Sequence, residues 1–255
     1  MENIENAVSD GQCLYVDDFT KLVGIAQSQE TYTVDERCKV IASGAFEGNE
    51  EVDRVFLPEG VETIEDNAFA RCSITRMDIP ASVKTIGYRA FYGCWKLIEL
   101  HLLAGLEEIG EEAFAFSALG VASMPSTLKK LGYRAFADCP ISYSGRNRTY
   151  RIALTNPYLK CDARGGVYAK SDEGDTFMEL VEHDIRMYNI VGNTVEIGPH
   201  AFEGLPYIVR INLPESVRKI SSRAFANCPS LVRVDLPANA TDVAPDAFAE
   251  TQIAL

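Results

Sequence analysis

The chain has 255 residues and a formal net charge of −13, because 37 Asp and Glu residues outnumber 24 Lys and Arg residues. Proteins that bind nucleic acids or anionic membranes present basic surfaces, so this charge argues against both kinds of partner. No stretch approaches the roughly 18 consecutive apolar residues of a membrane-spanning helix, and we therefore expect no membrane insertion.

The first predicted element is a β-hairpin insertion in GQCLYVDDFTKLVGIAQSQETYTVDERCKVIASGAFEG, which runs from Gly11 to Gly48. A strand with Tyr15, a polar turn and a second apolar strand precede a strand that carries Tyr32. The acidic residues 1–13 contain no apolar signal region. Two locations stay open: the cell surface or the outside of the cell if a signal peptide was removed, and otherwise the cytoplasm.

A repeat of 22 or 23 residues follows the hairpin. The dipeptide Ala-Phe recurs with its phenylalanine at Phe46, Phe69, Phe91, Phe114 and Phe136. The string GYRAF at 87–91 returns at 132–136 because two such periods separate the copies. A fixed period in the twenties is typical of a leucine-rich-repeat-like solenoid, in which each period is one coil.

Aligned copies share the pattern L-x-x-L-x-L-P-x-x-V-x-x-I-x-x-x-A-F-x-x-C, as in VDRVFLPEGVETIEDNAFARC from Val52. Places 4 and 6 point to the same side of a strand, and the proline at place 7 ends it because proline has no N–H to donate. The x-x-x-A-F stretch is expected to form a short helical turn whose phenylalanine fills the core. The pattern predicts an α/β repeat solenoid, a right-handed coil with one parallel β-sheet. Its predicted strands lie near residues 52–57, 74–79, 97–102, 119–124, 208–213 and 231–236.

Residues 141–164 depart from this pattern and are predicted to form an irregular connector. The connector carries Arg146, Arg148, Arg151 and Arg164 in an otherwise acidic chain. Two interpretations stay open: a solvated loop whose arginines balance acidic neighbours, and a basic patch for an acidic partner. The number of coils within residues 141–200 also stays open.

A second hairpin is predicted between Gly165 and Gly204, where the order of glycine, tyrosine, polar turn and apolar strands returns. Ala-Phe then recurs at Phe202, Phe225 and Phe248. The sequence thus predicts a hairpin-led N-terminal block over 1–140, the connector over 141–164 and a hairpin-led C-terminal block over 165–255. We expect the blocks to form one continuous solenoid.

The strings LP…V…IG…AF…C, which extend roughly from Ile41 to Leu255, resemble the BspA-like, treponemal class of leucine-rich repeats. This resemblance implies the solenoid fold. It also implies a binding or surface-adhesion module without catalytic residues, since the class is largely known in those roles.

Places 3 and 5 of each coil alternate with the core places, so they point out of the sheet together. Two interpretations are open: a self-satisfied ladder of Arg–Asp pairs, and a ligand-facing strip, since solenoids bind along extended faces. Arg and aromatic residues are the types enriched at interfaces. The candidate partner-binding residues are Arg54, Phe56, Arg76, Asp78, Glu99, His101, Arg210, Asn212, Arg233 and Asp235, with Val121 and Ser123 in the same columns.

Catalytic, metal and cofactor chemistry find little support in the sequence. The three histidines, His101, His183 and His200, have no second ligand at a metal-binding spacing. Four cysteines fall three residues after their phenylalanine and are interpreted as a buried packing column: Cys72, Cys94, Cys139 and Cys228. The cysteines outside the repeats, Cys13, Cys38 and Cys161, are expected to be the more exposed thiols.

The leading hypothesis is a non-enzymatic binding module that presents its sheet face to a protein or glycan, for example in adhesion at the cell surface. The alternative is an intracellular scaffold or self-assembly protein. For the last coil, with Leu236 and Phe248, three outcomes stay open, because no further coil in the sequence covers it. A short C-terminal strand folds over the end, two chains meet end to end as a two-fold homodimer, or the natural chain continues beyond Leu255. The homodimer is the favoured outcome. No cofactor is expected.

Overall fold

The computed structural model describes the chain as two compact units. Unit 1 holds residues 6–120, 122–139, 150–152 and 156, and unit 2 holds residues 157–180 and 184–253. Val121, Arg146, Arg148 and His183, which the sequence singled out, lie outside the described residues, as does the side chain of Arg151.

The described residues form 23 β-strands and no α-helix. Accordingly, no helix in this part of the chain is long and apolar enough to cross a membrane. The strands of unit 1 are β1 (Val8–Ser9), β2 (Cys13–Val16), β3 (Lys21–Ile25), β4 (Thr31–Thr33), β5 (Val40–Ile41), β6 (Arg54–Phe56), β7 (Thr63–Ile64), β8 (Arg76–Ile79), β9 (Thr85–Ile86), β10 (Glu99–Leu102), β11 (Glu108–Ile109), β12 (Ala122–Met124), β13 (Lys130–Leu131) and β14 (Tyr150–Ile152). The strands of unit 2 are β15 (Leu159–Cys161), β16 (Gly166–Ala169), β17 (Asp175–Leu180), β18 (Met187–Asn189), β19 (Thr194–Ile197), β20 (Arg210–Asn212), β21 (Lys219–Ile220), β22 (Arg233–Asp235) and β23 (Asp242–Val243).

The prediction of a parallel-sheet solenoid is confirmed. Successive coils pair one repeat apart, as Met77 with Leu100 in unit 1 and Ile211 with Val234 in unit 2. The strands predicted at places 1–6 are present but shorter, and they begin at place 3 or 4. Two further strands, β14 and β15, lie in the segment predicted to be an irregular connector; β14 pairs in parallel with β12.

The prediction of one parallel sheet is wrong, because each unit has a second one. In unit 1 the short strands run in the order β1-β2-β3-β5-β7-β9-β11-β13, while the long strands form the sheet β10-β8-β6-β4 and the pair β12-β14. In unit 2 the corresponding sheets are β15-β16-β17-β19-β21-β23 and β18-β20-β22. The second sheet forms at the V-x-x-I segments, which bury their isoleucines, as at Ile64 and Ile86. Because these side chains pack on one another, the backbones of adjacent coils come close enough to pair as parallel strands.

The repeat phenylalanines form the core, as predicted. Phe69, Phe91 and Phe114 are fully buried and stack nearly parallel, with ring centroids 5.0–5.1 Å apart. Phe136 and Phe225 are also buried. In unit 2 Phe177 of β17 stacks on Phe202 at 4.6 Å, although no alanine precedes it in the sequence.

The predicted helical turns are absent from the described residues, and consecutive tight turns take their place. Phe69 N–H donates to the carbonyl of Ala90 in the next coil at 2.7 Å, and Arg71 N–H donates to Tyr92 at 2.7 Å. Left-handed residues, two in each coil except the Phe248 coil, which has one, prevent a helix from continuing. One set lies two residues before the repeat phenylalanine: Gly44, Asn67, Arg89, Glu112, Arg134, His200 and Arg223. The other set lies two residues after it: Gly48, Arg71, Gly93, Phe116, Asp138, Gly204, Asn227 and Glu250. We call this stack of turns the turn ladder.

Both predicted hairpins are present. Strands β2 and β3 pair antiparallel, as do β16 and β17, and β3 and β17 then pair in parallel with the first short strand of their unit. Each hairpin buries two tyrosines whose hydroxyls are hydrogen-bonded. Tyr15 accepts the N–H of Asp35, and Tyr32 donates to the carbonyl of Gln27. In unit 2 the hydroxyls of Tyr168 and Tyr188 both donate to Asp162.

Candidate binding face

The outward side chains of the long strands form a candidate binding face in each unit. Along β8 the buried residues Met77 and Ile79 alternate with Arg76 and Asp78, which point outward. We call the outward residues Arg54, Phe56, Arg76, Asp78, Glu99 and His101 the unit 1 face. The unit 2 face comprises Asn189, Arg210, Asn212, Arg233 and Asp235.

Four residues of the unit 1 face form one polar network. The Arg76 guanidinium contacts the Asp78 carboxylate at 3.0 Å and the Glu99 carboxylate at 3.1 Å. His101 Nδ1 lies 2.6 Å from Asp78 Oδ1. The hydrogen bond from Arg76 lowers the pKa of Asp78, and that from His101 adds to the effect. These four residues match the interpretation of the outward columns as a self-satisfied ladder of charged pairs.

Arg54 and Phe56 stand apart from this network. Phe56 is 51% exposed. Among the described residues, Arg54 forms a single ion pair, a loose contact of 3.7 Å with Asp53. Together with Arg76 and Asp78 they line an open hollow of about 320 Å³. An exposed aromatic ring beside a loosely held guanidinium is the combination that protein interfaces favour.

The unit 2 face is paired throughout. Asp235 accepts from both Arg210 and Arg233, each at 2.6 Å, and these two hydrogen bonds lower the pKa of Asp235, with that from Arg233 the larger cause. Arg210 also donates to Asn212 at 2.9 Å, and Asn212 donates to Asn189. The sequence interpretation of a self-satisfied ladder therefore describes unit 2 better than unit 1.

The cysteine column is buried, as predicted, and its thiols point into the backbone. Cys72 Sγ donates to the Phe46 carbonyl at 2.9 Å, and Cys94 Sγ donates to the Phe69 carbonyl at 3.0 Å. Burial raises the pKa of Cys72 to about 12 and that of Cys228 to about 11. These environments disfavour the thiolate, the form that reacts and binds metals.

The expectation of exposed thiols outside the repeats is wrong for two of three cysteines. Cys13 and Cys38 are fully buried because the first hairpin packs them under its strands, and only Cys161 is partly exposed. Burial raises the pKa of Cys13 to about 12. Within the described residues no three His, Cys, Asp or Glu side chains are placed to hold a metal ion.

The sequence interpretation missed a group of exposed aromatic residues on the turn ladder of unit 1. Tyr88, Trp95 and Phe116 are all exposed, and Phe116 occupies a left-handed position where five of the other seven coils carry glycine, asparagine or aspartate. An available signal was the phenylalanine two places after the repeat phenylalanine, since only one coil has an aromatic residue there.

The fold and the repeat define a class, the leucine-rich-repeat-like solenoids. More narrowly, the chain belongs to the BspA-type leucine-rich repeat family, because the model of the BspA type leucine rich repeat region matches residues 26–142 and 177–254 in six copies. No curated protein matches the chain.

Several solved structures have a similar fold. The pneumococcal vaccine antigen PcpA is 19% identical with a TM-score of 0.69, over 92% of this chain and 71% of PcpA. A leucine rich cell surface protein from Faecalibacterium prausnitzii A2-165 is 18% identical with a TM-score of 0.64, over 95% of this chain and 86% of that one. The Treponema pallidum leucine rich repeat protein TpLRR is 17% identical with a TM-score of 0.52, over 83% and 82%. At these identities the similarity concerns the fold alone.

Proposed function

We propose that this chain is a non-enzymatic binding module whose unit 1 face contacts a partner protein, with a glycan as the alternative ligand. The observation that carries the proposal is Phe56, which is half exposed in a hollow beside Arg54 while its charged neighbours are paired. Exposing this ring to water contributes nothing to folding, whereas burying it against a partner removes apolar surface from water.

A role at the cell surface is consistent with two of the similar structures, which are described as a vaccine antigen and a cell surface protein. Those descriptions concern the other proteins. For this chain, adhesion is the most specific form of the proposal, and the partner would be presented on another cell or in its surroundings.

The proposal is tested by comparing the wild type with the Arg54→Ala/Phe56→Ala double variant on arrays of purified extracellular proteins and of glycans. We expect any ligand of the unit 1 face to bind the double variant at least about tenfold more weakly, equivalent to roughly 1.4 kcal/mol. Arg233→Ala in unit 2 is the matched control, since it removes an arginine of similar exposure. Ligands that bind all three proteins equally would contradict the proposal.

Self-assembly is the second candidate, and the last coil of unit 2 favours it. Strands β22 and β23 each pair with a described strand on one side only, and Leu236 is exposed next to β22. The N–H groups of Phe225 and Asn227 donate to the following coil, but no described residue accepts from those of Phe248 and Glu250. A two-fold homodimer would therefore pair through the free edges of β22 and β23, with Leu236 between the copies. Two opposed turn ladders would not pair, because each would present only N–H donors to the other.

Sedimentation at micromolar protein concentration tests the homodimer. We expect the wild type to sediment as a dimer and Leu236→Asp to sediment as a monomer, because a carboxylate at this position would be desolvated between the two copies. Leu103→Asp, at an exposed leucine of unit 1, is the matched control and should leave the dimer intact. A monomeric wild type would exclude this candidate.

A further inference from the structure

A second surface, on the turn ladder of unit 1, has features that folding does not explain. We propose that the aromatic turn patch, formed by Tyr88, Arg89, Tyr92, Trp95 and Phe116, binds a proline-rich segment of a partner protein in the polyproline II conformation. This site is independent of the unit 1 face, and it adds a class of ligand to the binding role proposed above.

Three rings of the aromatic turn patch, those of Tyr88, Tyr92 and Phe116, are held in a fixed arrangement. The Arg89 guanidinium carbon lies 4.9 Å from the ring centroid of Tyr88 and 4.7 Å from that of Tyr92. The rings of Tyr92 and Phe116 meet edge to face with their centroids 5.3 Å apart. The patch is thus a preorganised aromatic surface, and binding to it orders few side chains.

Trp95 lies beside the same contact between coils. The backbone N–H of Trp95 donates to the Gly93 carbonyl at 2.8 Å, and the backbone N–H of Gly93 in turn donates to the carbonyl of Ala115, the residue before Phe116. Trp95 is the single tryptophan of the chain and is 62% exposed. The Lys96 ammonium group lies 4.6 Å from its ring centroid.

Phe116 is the residue that folding explains least. Its φ of 59° lies in the left-handed region, which a bulky side chain adopts only at a cost, and its side chain is 44% exposed. Five of the other seven coils place glycine, asparagine or aspartate here: Gly48, Gly93, Asp138, Gly204 and Asn227. A strained, exposed phenylalanine points to a role on the surface.

The surrounding backbone limits the kind of ligand. The N–H groups of Arg89, Phe91 and Gly93 all donate to the next coil, so the turn ladder has no free row of donors for an added β-strand. The ligand must therefore be held by side-chain surfaces. Polyproline II is suited to this because its backbone needs no strand partner and its rings pack on aromatic residues.

The polar groups of the patch favour a protein ligand over a sugar. Glu112 is held by Arg89 at 2.5 Å and by Arg134 at 3.5 Å, so these charges already satisfy one another. Few polar side chains remain to bind the many hydroxyls of a glycan. Glu111, in contrast, is exposed and has no ion pair among the described residues, and neither has Lys96 beside Trp95. The local charges therefore balance, and the net charge of −13 for the whole chain favours prolines flanked by arginine or lysine.

Trp95 fluorescence provides a direct test in the intact chain. The probe is a peptide of ten prolines with one arginine at each end, and the matched control peptide replaces the prolines with alternating glycine and serine. We expect a saturable change in Trp95 emission with the proline peptide only. Phe116→Asn should weaken binding at least tenfold while the melting temperature stays equal or rises, since asparagine tolerates the left-handed region.

Further variants keep the result interpretable. Tyr88→Ala should also weaken binding, which provides a second measurement if Phe116→Asn does not fold. Tyr207→Ala, which removes a 56% exposed tyrosine of unit 2, and Arg54→Ala/Phe56→Ala should both bind the peptide like the wild type. The Arg54→Ala/Phe56→Ala variant separates this site from the unit 1 face, because peptide binding to the patch and ligand binding to the unit 1 face are measured independently and either can be lost alone.

Three results would overturn the proposal. Equal affinity for the glycine-serine peptide would show attraction by charge alone. Binding of an oligosaccharide such as chitohexaose, without binding of the proline peptide, would assign the patch to a glycan. Wild-type affinity in both Phe116→Asn and Tyr88→Ala would place the peptide elsewhere.

Discussion

The two units build the same coil and differ in what they present outward. In unit 2 Asp235 joins Arg210 and Arg233, so the charged side chains of that face satisfy one another. In unit 1 a similar network ends before Phe56 and Arg54, which leaves an exposed ring and a loosely paired guanidinium. The difference lies in side chains that packing does not constrain.

Inside, the two units follow the same rules. The strand residues that point inward are apolar in both, as Val55 and Met77 in unit 1 and Ile211 in unit 2. The phenylalanine stack has ring spacings of 4.9–5.1 Å in unit 1 and 4.6–5.3 Å in unit 2. Stability should therefore depend on the inward residues equally in both units, and binding on the outward residues of unit 1.

The largest effect is expected from opening the phenylalanine stack. Phe91→Ala in unit 1 and Phe225→Ala in unit 2 each remove a fully buried ring between two stacked neighbours. Each should lower the free energy of unfolding by about 3–5 kcal/mol, because the apolar contacts are lost and a cavity remains. Urea unfolding followed by circular dichroism measures both. If only one of the two variants lowered the free energy of unfolding, the cores of the two units would not be equivalent.

A smaller effect is expected at a glycine of unit 1 where the backbones of adjacent coils lie close together. A Cβ on Gly110 would lie 2.5 Å from the carbonyl carbon of Gly87, whereas unit 2 carries Ser221 at the equivalent place. Gly110→Ser should destabilise unit 1 by about 1–3 kcal/mol, since neighbouring backbone must move. Ser221→Gly should cost less, about 1 kcal/mol, through backbone entropy and its lost hydrogen bond. Equal costs in thermal unfolding would show that the coil spacing is alike in both units.

The fold could be predicted from the sequence because each repeat places the same types of apolar residue at the same positions of the coil. The eight Ala-Phe dipeptides of the repeat predict the stack, because they are spaced by 22 or 23 residues apart from one gap of 66, and the place-7 prolines predict the strand ends. The second sheet was missed because two-residue strands carry no alternation to detect. Helical turns were expected because left-handed φ values occur at residues such as Arg71 and Arg89, whose type does not signal them.

The candidate sites were predictable only in part. Strand alternation correctly placed Arg54, Phe56 and Asp78 outward, because side chains in a strand alternate strictly. Which outward charges pair depends on side-chain reach across coils, and the sequence does not specify it. Phe177, which joins the stack without a preceding alanine, was missed because the hairpin interrupts the repeat.

Thiol reactivity should separate one cysteine from the rest. In both units the column thiols are buried and hydrogen-bonded to carbonyls, as Cys94 to Phe69 and Cys228 to Phe202. At pH 8 we expect iodoacetamide to label Cys161 at least about 100-fold faster than the column, because little thiolate forms at a raised pKa. Mass spectrometry over time measures the rates, and labelling in urea should reach all seven cysteines. Rapid native labelling of Cys228 alone would indicate that unit 2 opens more readily.

The smallest effect is expected at acid pH, where the two faces should behave alike. Hydrogen bonds from arginine lower the pKa of Asp78 in unit 1 and of Asp235 in unit 2. Each carboxylate therefore adds stability above its unfolded pKa of about 3.9, and this contribution is lost as the pH falls through the lower folded pKa. The exposed positions of both pairs keep the contribution small.

Asp78→Asn and Asp235→Asn should each reduce the loss of stability between about pH 4 and pH 2 by a similar small amount. Asp172→Asn is the control, since Asp172 is exposed and has no ion pair or hydrogen bond among the described residues. The urea midpoint measured from pH 6 to pH 2 checks all three. If Asp78→Asn had no effect while Asp235→Asn did, the unit 1 network would be looser than its contact distances indicate. The whole unit 1 face, beyond Arg54 and Phe56, would then be open to a partner.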